Sequence, residues 1–468
     1  MSTNKYKSLL SDVGIFAIGN LGSKILNFLF VSLYTACLTT EEYGSANLVV
    51  TSVSLIFPVL TMAISEPILR FTCDNNENKN SIYSIGATII LLATILNTVV
   101  AILVSAFVPE IKNYILYYII LFFLTSLELS MSNFIKGINK IKVFAAKGIL
   151  YSAVFIVSNI VFLTVLDLGL EGYFYAMIMA YILSILMMFI GGHLWQYKWS
   201  FKLDTNLLRR MLRYSIPMIP ATIAWWINSS SDSYMITLLA GVSYTGMYSV
   251  AHKIPSMVTS ITGIFTQAWQ LSAMKNYDSP QFSSFFSNIF NSICYLLIIG
   301  STFVIFCTKI IAVILFQKEF YIAWKYVPML MVAAIFSTIA GVLASAYTSA
   351  KKTNILFIST VIAAALNIIL NFALIKTIGP FGAAIATSLS FLTMVLVRLI
   401  FIKKIVKIEG NWKSILPSCI ILFITSIMLV YLDQHYWVIV TIMFITIVVI
   451  NFKSFTILIR KMFTEFNR

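Results

Sequence analysis

The chain has 468 residues, of which 60% are hydrophobic and only 10% charged, with a mean hydropathy of +0.93. Soluble domains carry about a quarter charged residues, so this composition excludes a water-soluble globular fold and indicates an all-α polytopic membrane protein. The net charge of +15 requires no nucleic-acid partner, because basic residues gathered on one side of a membrane are topology signals.

In chain order, apolar runs between turn and charge signals predict fourteen spans: 12–38, 45–70, 81–107, 114–135, 143–166, 173–194, 216–240, 247–271, 284–307, 326–350, 354–376, 380–402, 413–432 and 436–459. The first follows a short basic start, "MSTNKYKSLLSD", with no small-residue cleavage site, and is expected to be a retained span rather than a signal peptide. On this topology 25 Lys and Arg fall on the side of the termini and five on the other. Both termini are therefore expected in the cytoplasm. The segment 195–215, "WQYKWSFKLDTNLLRRMLRYS", is expected to be a cytoplasmic connector whose basic amphipathic helix lies on the lipid headgroups. The predicted exported loops are too short for a soluble catalytic domain. Five cysteines without ligand-like spacing suggest neither a disulfide framework nor a metal site.

The two halves echo each other. "EEYGSANLV" at 41–49 matches "SYTGMYSVA" at 243–251, Gly44 falling on Gly246 at an offset of 202. In the second span Asn47, Thr51, Ser54, Thr61 and Ser65 share a helical face. The same offset carries them to Ser249, Lys253, Ser256, Gly263 and Gln267, again polar or small. "DLGLEGYFYA" at 167–176 matches "TIGPFGAAIA" at 377–386, Gly169 and Gly172 falling on Gly379 and Gly382. The expected architecture is a six-helix lobe over 1–194, the connector 195–215, a second lobe over 216–402 and an additional helix pair over 403–468. The lobes would be related by a pseudo-two-fold along the membrane normal, with a cavity between them.

The "EEYG" turn after the first span, "EPILRF" closing the second, "GMYSVAHKI" opening the eighth and the paired glycine turns resemble the polysaccharide transporters of the multidrug/oligosaccharidyl-lipid/polysaccharide exporter superfamily. Within it the chain is most similar to Wzx-type flippases of O-antigen or capsule repeat units. The resemblance implies a bacterial cytoplasmic-membrane transporter whose substrate is an oligosaccharide on undecaprenyl pyrophosphate. Polymerase and chain-length components of the pathway are implied as partners beside the membrane lipids.

Charged groups near a bilayer centre cost about 2.5–3.5 kcal/mol on insertion scales, so each should face a partner or a wet cavity. In "AWWINSSSDSYM", Asn228, Ser229 and Asp232 share a face with Trp225. Asp232 and Lys253 lie at similar depth on consecutive spans. They either tie two helices together or line the cavity, and the stripe through Ser249, Ser256 and Gln267 favours the cavity. Lys24 shares a face with Asn20, Asn27 and Tyr34, without a local counter-charge. Glu66 and Arg70, spaced i, i+4, can pair at the cytoplasmic mouth. Lys147 and Arg398 lie near helix ends from which long side chains snorkel to headgroups. Glu128 is either a partner for a cation or a titrating group, and His252 is expected to be packed rather than a switch. Trp225, Trp226, Trp269 and Tyr34 are expected to face lipid or the interface belt. Pro58, Pro217, Pro220 and Pro255 are either bending points or static kinks.

The expected function is outward movement of the lipid-linked oligosaccharide by alternating access, with Lys24 and Lys253 complementing the anionic head and Arg70 and Arg398 as further cations at the mouth. No cofactor is expected, while H⁺ or Na⁺ coupling would fall to Asp232 or Glu128. A cation-coupled multidrug antiporter is the first rival, although the extra helix pair and the cavity lysines count against it. A membrane polysaccharide polymerase is the second. The absence of clustered acids on an exported or cytoplasmic domain counts against an enzyme.

Overall fold

The computed structural model describes residues 28, 30–74, 76–107, 109–403 and 405–466. Eighteen α-helices and no strand occur among them. They fall into two compact units, one within Ile25–Trp226 and one containing Ile227–Arg468.

The first unit holds α1 (Val31–Cys37), α2 (Thr40–Leu60), α3 (Ser65–Thr72), α4 (Lys79–Phe107), α5 (Ile115–Gly137), α6 (Ile141–Asn159), α7 (Gly169–Gly191) and α8 (Thr205–Ser215). The "TTEEYG" stretch starts α2 with a capping box. The Thr39 hydroxyl accepts from the Glu42 amide at 3.2 Å, and the Glu42 carboxylate accepts from the Thr39 amide at 2.8 Å. Two otherwise unpaired amides are satisfied, and two acids stand at the positive end of the helix dipole.

The single span expected over 45–70 is instead two helices. Pro58 lacks an N–H for the helix ladder, and Met62 and Ala63 take left-handed φ of 51° and 49°, so α2 stops before α3 begins. Asn133 of α5 donates to the carbonyl of Ser65 at 2.8 Å, holding the restart against a neighbour. A cluster of Ile64, Ile68, Ile85, Phe134, Met188 and Met211 ties α3, α4, α5, α7 and α8 together.

The second unit takes over within α9 (Ile219–Leu239) and continues through α10 (Val242–Ala251), α11 (Lys253–Asn276), α12 (Phe282–Phe306), α13 (Thr308–Leu315), α14 (Val327–Ser349), α15 (Asn354–Ile378), α16 (Phe381–Ile402), α17 (Trp412–Tyr431) and α18 (Tyr436–Phe466). The expected eighth span, 247–271, is likewise interrupted, because Pro255 cannot donate to the carbonyl one turn back and the helix breaks at His252. The most enclosed helix is α14, with 78% of its span covered. Its alanines at 333, 334, 340 and 346 let α11, α12 and α16 approach closely. The last pair packs on α12: Tyr436 donates to the Ile305 carbonyl at 2.8 Å, and Asn451 of α18 donates to Ser418 of α17 at 2.8 Å.

Among the described residues eleven helices are long and apolar enough to cross a membrane. Of the other three expected spans, 12–38 lies mostly outside the described residues. The seventh and eighth correspond to α9, of 21 residues, and α11, of 24 residues. Both are long enough to cross but fall short of the sustained apolarity of the eleven.

The glycine turns matched in sequence both place a glycine at positive φ. Gly169 and Gly379 have φ of +53° and +67°, a region in which a Cβ is strained. Gly172 and Gly382 follow where helices touch, and a Cβ on Gly382 would lie 2.5 Å from the Leu374 carbonyl. Gly382→Ala is expected to destabilise the protein by about 1–3 kcal/mol, read as a lowered unfolding temperature in detergent, whereas Gly300→Ala, with open space around it, should leave that temperature unchanged.

Candidate functional site

The C-terminal unit contains a chain of buried polar groups. Asp232 of α9, 3% exposed, accepts from Tyr248 of α10 at 2.7 Å, from Thr387 of α16 at 2.6 Å and from Asn371 of α15 at 2.7 Å. Asn371 also donates to the side-chain oxygen of Asn367 at 3.0 Å, and Ser231 donates to that same oxygen at 3.0 Å. No described Lys, Arg or His lies within ion-pair distance of Asp232. The carboxylate is thus solvated by neutral donors from three helices, and the Asn371 side-chain oxygen has no partner among the described residues.

Toward the other end of α15 and α16 the same unit buries an arginine. Arg398, 4% exposed, donates from Nε to Ser359 at 3.0 Å, to Thr360 at 3.2 Å and to the Ala340 carbonyl at 2.6 Å. Tyr347 donates to the Arg398 carbonyl at 2.5 Å, so α14, α15 and α16 meet on this residue. Asn228 reaches the Thr360 carbonyl at 3.1 Å and joins α9 to the same place. The guanidinium has no carboxylate partner among the described residues.

The N-terminal unit solves its buried charges differently. Lys147 of α6 forms an ion pair with Glu128 of α5, whose carboxylate also accepts from Ser132 at 3.0 Å. The Phe144 ring lies 5.5 Å from the Lys147 ammonium and 5.0 Å from that of Lys136. A matched acid and base neutralise each other, whereas Asp232 has no basic partner among the described residues.

A family model described as "polysaccharide biosynthesis protein" matches residues 9–270, more than half of the chain. The chain belongs to this polysaccharide biosynthesis family. A probable low-salt glycan biosynthesis flippase of Haloferax volcanii is 28% identical over 217 residues, and the match spans 44% of this chain and 44% of that protein, less than half of its length. Among solved structures, the lipid II flippase MurJ in an inward closed conformation superposes with a TM-score of 0.70 at 17% identity, covering 95% of this chain and 99% of that one. An inward-facing multidrug resistance transporter of the MATE family, in the MOP superfamily, superposes with a TM-score of 0.68 at 13% identity, covering 85% of this chain and 98% of that one. These likenesses show that this polysaccharide biosynthesis protein has the same fold as those two proteins.

Against this frame the sequence-predicted residues sort into three groups. Lys24, Asn20 and Asn27 lie outside the described residues. Asp232 lies in the buried carboxylate network and Asn228 beside Arg398, both in the C-terminal unit, and Ser229 is half-buried with its hydroxyl 3.4 Å from that of Ser230. Ser249 and Ser256 bond to the carbonyls of Thr245 and Lys253 in their own helices, at 2.7 and 2.8 Å, and Gln267 is exposed. Lys253 is half-buried beside the His252 break and forms no ion pair with Asp232.

Several expectations are corrected. Lys147 does not snorkel, because Glu128 captures its ammonium, and Arg398 does not reach headgroups, because neutral acceptors on two neighbouring helices hold it inside. Glu66 and Arg70 are both exposed and form no ion pair. Arg70 lies over the Tyr214 ring at 5.5 Å instead. Trp269 and Tyr34 belong to the core rather than to a lipid-facing belt: Trp269 packs on Phe285 and Phe286, and Tyr34 on Tyr43, Phe155 and Tyr173. Sequence reasoning missed Tyr248, Asn367, Asn371 and Thr387. The available signal was Asn367 and Asn371 at i, i+4 inside an apolar run, since amides in such a run need partners on another helix.

Lys147→Met alone strands a buried carboxylate and should cost about 3 kcal/mol of stability. The pair Glu128→Leu with Lys147→Met should recover most of that loss in thermal unfolding, since neither charge is then left unmatched.

Proposed function

We propose that this protein is a flippase that moves undecaprenyl-pyrophosphate-linked oligosaccharide repeat units from the cytoplasmic to the outer leaflet by alternating access. The observation that carries this reading over a multidrug antiporter is coverage. The likeness to the lipid II flippase extends over 95% of the chain, while that to the multidrug transporter extends over 85%. The family description and the glycan flippase of Haloferax volcanii support the same reading. It includes fourteen spans in two six-helix lobes plus a pair, both termini in the cytoplasm of a bacterium, residence in its inner membrane, and action alongside polymerase and chain-length components of an O-antigen, capsule or related pathway.

In this reading Lys24 and Lys253 complement the pyrophosphate. Lys253 is suited to it because no protein carboxylate competes for its ammonium among the described residues. Arg398 is instead a structural residue of its lobe. An anion leaving a negative cytoplasm gains about 2.3 kcal/mol per charge per 100 mV, so the membrane potential itself favours export.

Ion coupling falls to Asp232 rather than Glu128, because Lys147 already neutralises Glu128. The two ends of a side-chain amide have nearly the same shape. Turned about, Asn371 would offer its unpartnered oxygen beside Asp232, Asn367 and Thr387. An all-oxygen set around one carboxylate suits a hard cation such as Na⁺, and a proton on Asp232 is the simpler alternative.

Translocation of a fluorescent-sugar polyprenyl pyrophosphate in proteoliposomes should fall at least tenfold in Lys24→Ala and Lys253→Ala, about the effect of one lost charge contact. Asp232→Asn should lose any stimulation by an inward Na⁺ or H⁺ gradient. Full activity in all three variants would reduce these charges to helix ties. Drug efflux without lipid translocation by the parent would move the protein to the antiporter reading.

A further inference from the structure

The three arginines of "NLLRRMLR" in α8 have different surroundings, although composition makes them equivalent. Asp204 caps this helix, accepting from the amides of Asn206 and Leu207 at 3.0 Å each. Leu207 and Met211 turn one face into the core of the N-terminal unit. Upstream, the strap is stitched to α4: Lys198 N–H donates to Asn80 at 3.2 Å, Ser200 N–H donates to Ser84 at 3.0 Å, and the Trp199 indole donates to Thr88 at 3.2 Å. Arg210 is consumed by this docking, because it grips Glu77 with two bonds of 2.5 and 3.1 Å. That carboxylate raises the Arg210 pKa further above its ordinary value.

Arg209 and Arg213 have no such partner. They are exposed, one turn apart, and neither has a carboxylate within ion-pair distance among the described residues. With Thr205, Leu208, Leu212 and Ile216 they line a groove of about 480 Å³ along α8, bordering the face by which Leu207, Leu208, Met211 and Leu212 pack into the core. Its walls are aliphatic and its only charges are the two guanidinium groups. Nearby, Trp195, Trp199, Phe201 and Ile216 are all large apolar side chains left exposed. Water would be a poor solvent for this face, and headgroups with acyl chains a good one.

We propose that this groove is a binding site for one anionic phospholipid of the cytoplasmic leaflet. Its phosphodiester would sit between Arg209 and Arg213, its acyl chain along Leu208, Leu212 and Ile216. The complementarity is of charge and of shape together: paired unneutralised cations beside an aliphatic channel, on a helix held rigid by the face that packs into the core. A diffuse basic surface would also draw on Arg210, but the ion pair with Glu77 takes that residue out. The site depends on the membrane setting and not on the flippase reading, so either can fail without the other.

The test is native mass spectrometry of the full chain titrated with phosphatidylglycerol and, separately, phosphatidylcholine. The parent should prefer phosphatidylglycerol. The double variant Arg209→Gln with Arg213→Gln should lose roughly thirty-fold of that preference, the effect of two interfacial cations, and Arg210→Gln should keep it. Equal unfolding temperatures in phosphatidylcholine nanodiscs would establish that the double variant is folded. Arg209→Lys with Arg213→Lys, which conserves charge, should retain most of the preference and serves if the glutamine variant does not fold. Preference unchanged in the double variant, or lost equally in Arg210→Gln, would overturn the site in favour of diffuse attraction. Displacement of phosphatidylglycerol by an equal concentration of a polyprenyl pyrophosphate would overturn it in favour of substrate capture.

Discussion

In hydrocarbon a polar side chain has no water to turn to, and every arrangement of charge in this protein answers that constraint. Asp232 meets it by collecting neutral donors from α10, α15 and α16. Arg398 meets it by spanning two hydroxyls and a carbonyl on α14 and α15. Glu128 and Lys147 meet it by finding each other. The first two solutions bind five helices of the C-terminal unit, α9, α10, α14, α15 and α16, through buried polar contacts, since removing any donor leaves a charge partly unsolvated. The third is local to two helices.

That difference bears on mechanism. A neutralised pair resists both protonation and cation binding, because either would have to displace an existing partner. A carboxylate held by hydroxyl and amide donors can exchange those bonds for a proton or a hard cation by rotating side chains alone. In the proposed function, ion coupling is therefore assigned to the Asp232 network rather than to the N-terminal pair. The helix breaks lie close to charged positions: Met62 and Ala63 precede Glu66 and Arg70, and His252 precedes Lys253. Interrupted helices free backbone groups and give the chain places to bend.

Much of the molecule was legible in the sequence for simple reasons. Runs of about twenty apolar residues announce spans whatever they pack against, and eleven emerge as helices of that kind. Gly169 and Gly379 announced two equivalent turns because only glycine takes that backbone without strain. The connector at 195–215 announced a short amphipathic helix, and α8 forms within it with Leu207 and Met211 inward.

Partnership was not legible. Whether Lys147 reaches headgroups or Glu128 depends on the facing of α5 and α6, a rotation that composition does not encode. The same holds for Arg398, which lies too near a helix end to be distinguished from a snorkelling residue until α14 and α15 close over it. Asn367 and Asn371 looked like minor polar interruptions of an apolar run until Asp232 was found against them. By itself the sequence determined what must cross the membrane and where the chain must turn, because those follow from local hydrophobicity and backbone sterics. Only the tertiary structure decided which buried charges are matched and which are merely solvated, because that depends on which residues face one another across helices as much as 155 positions apart in the chain.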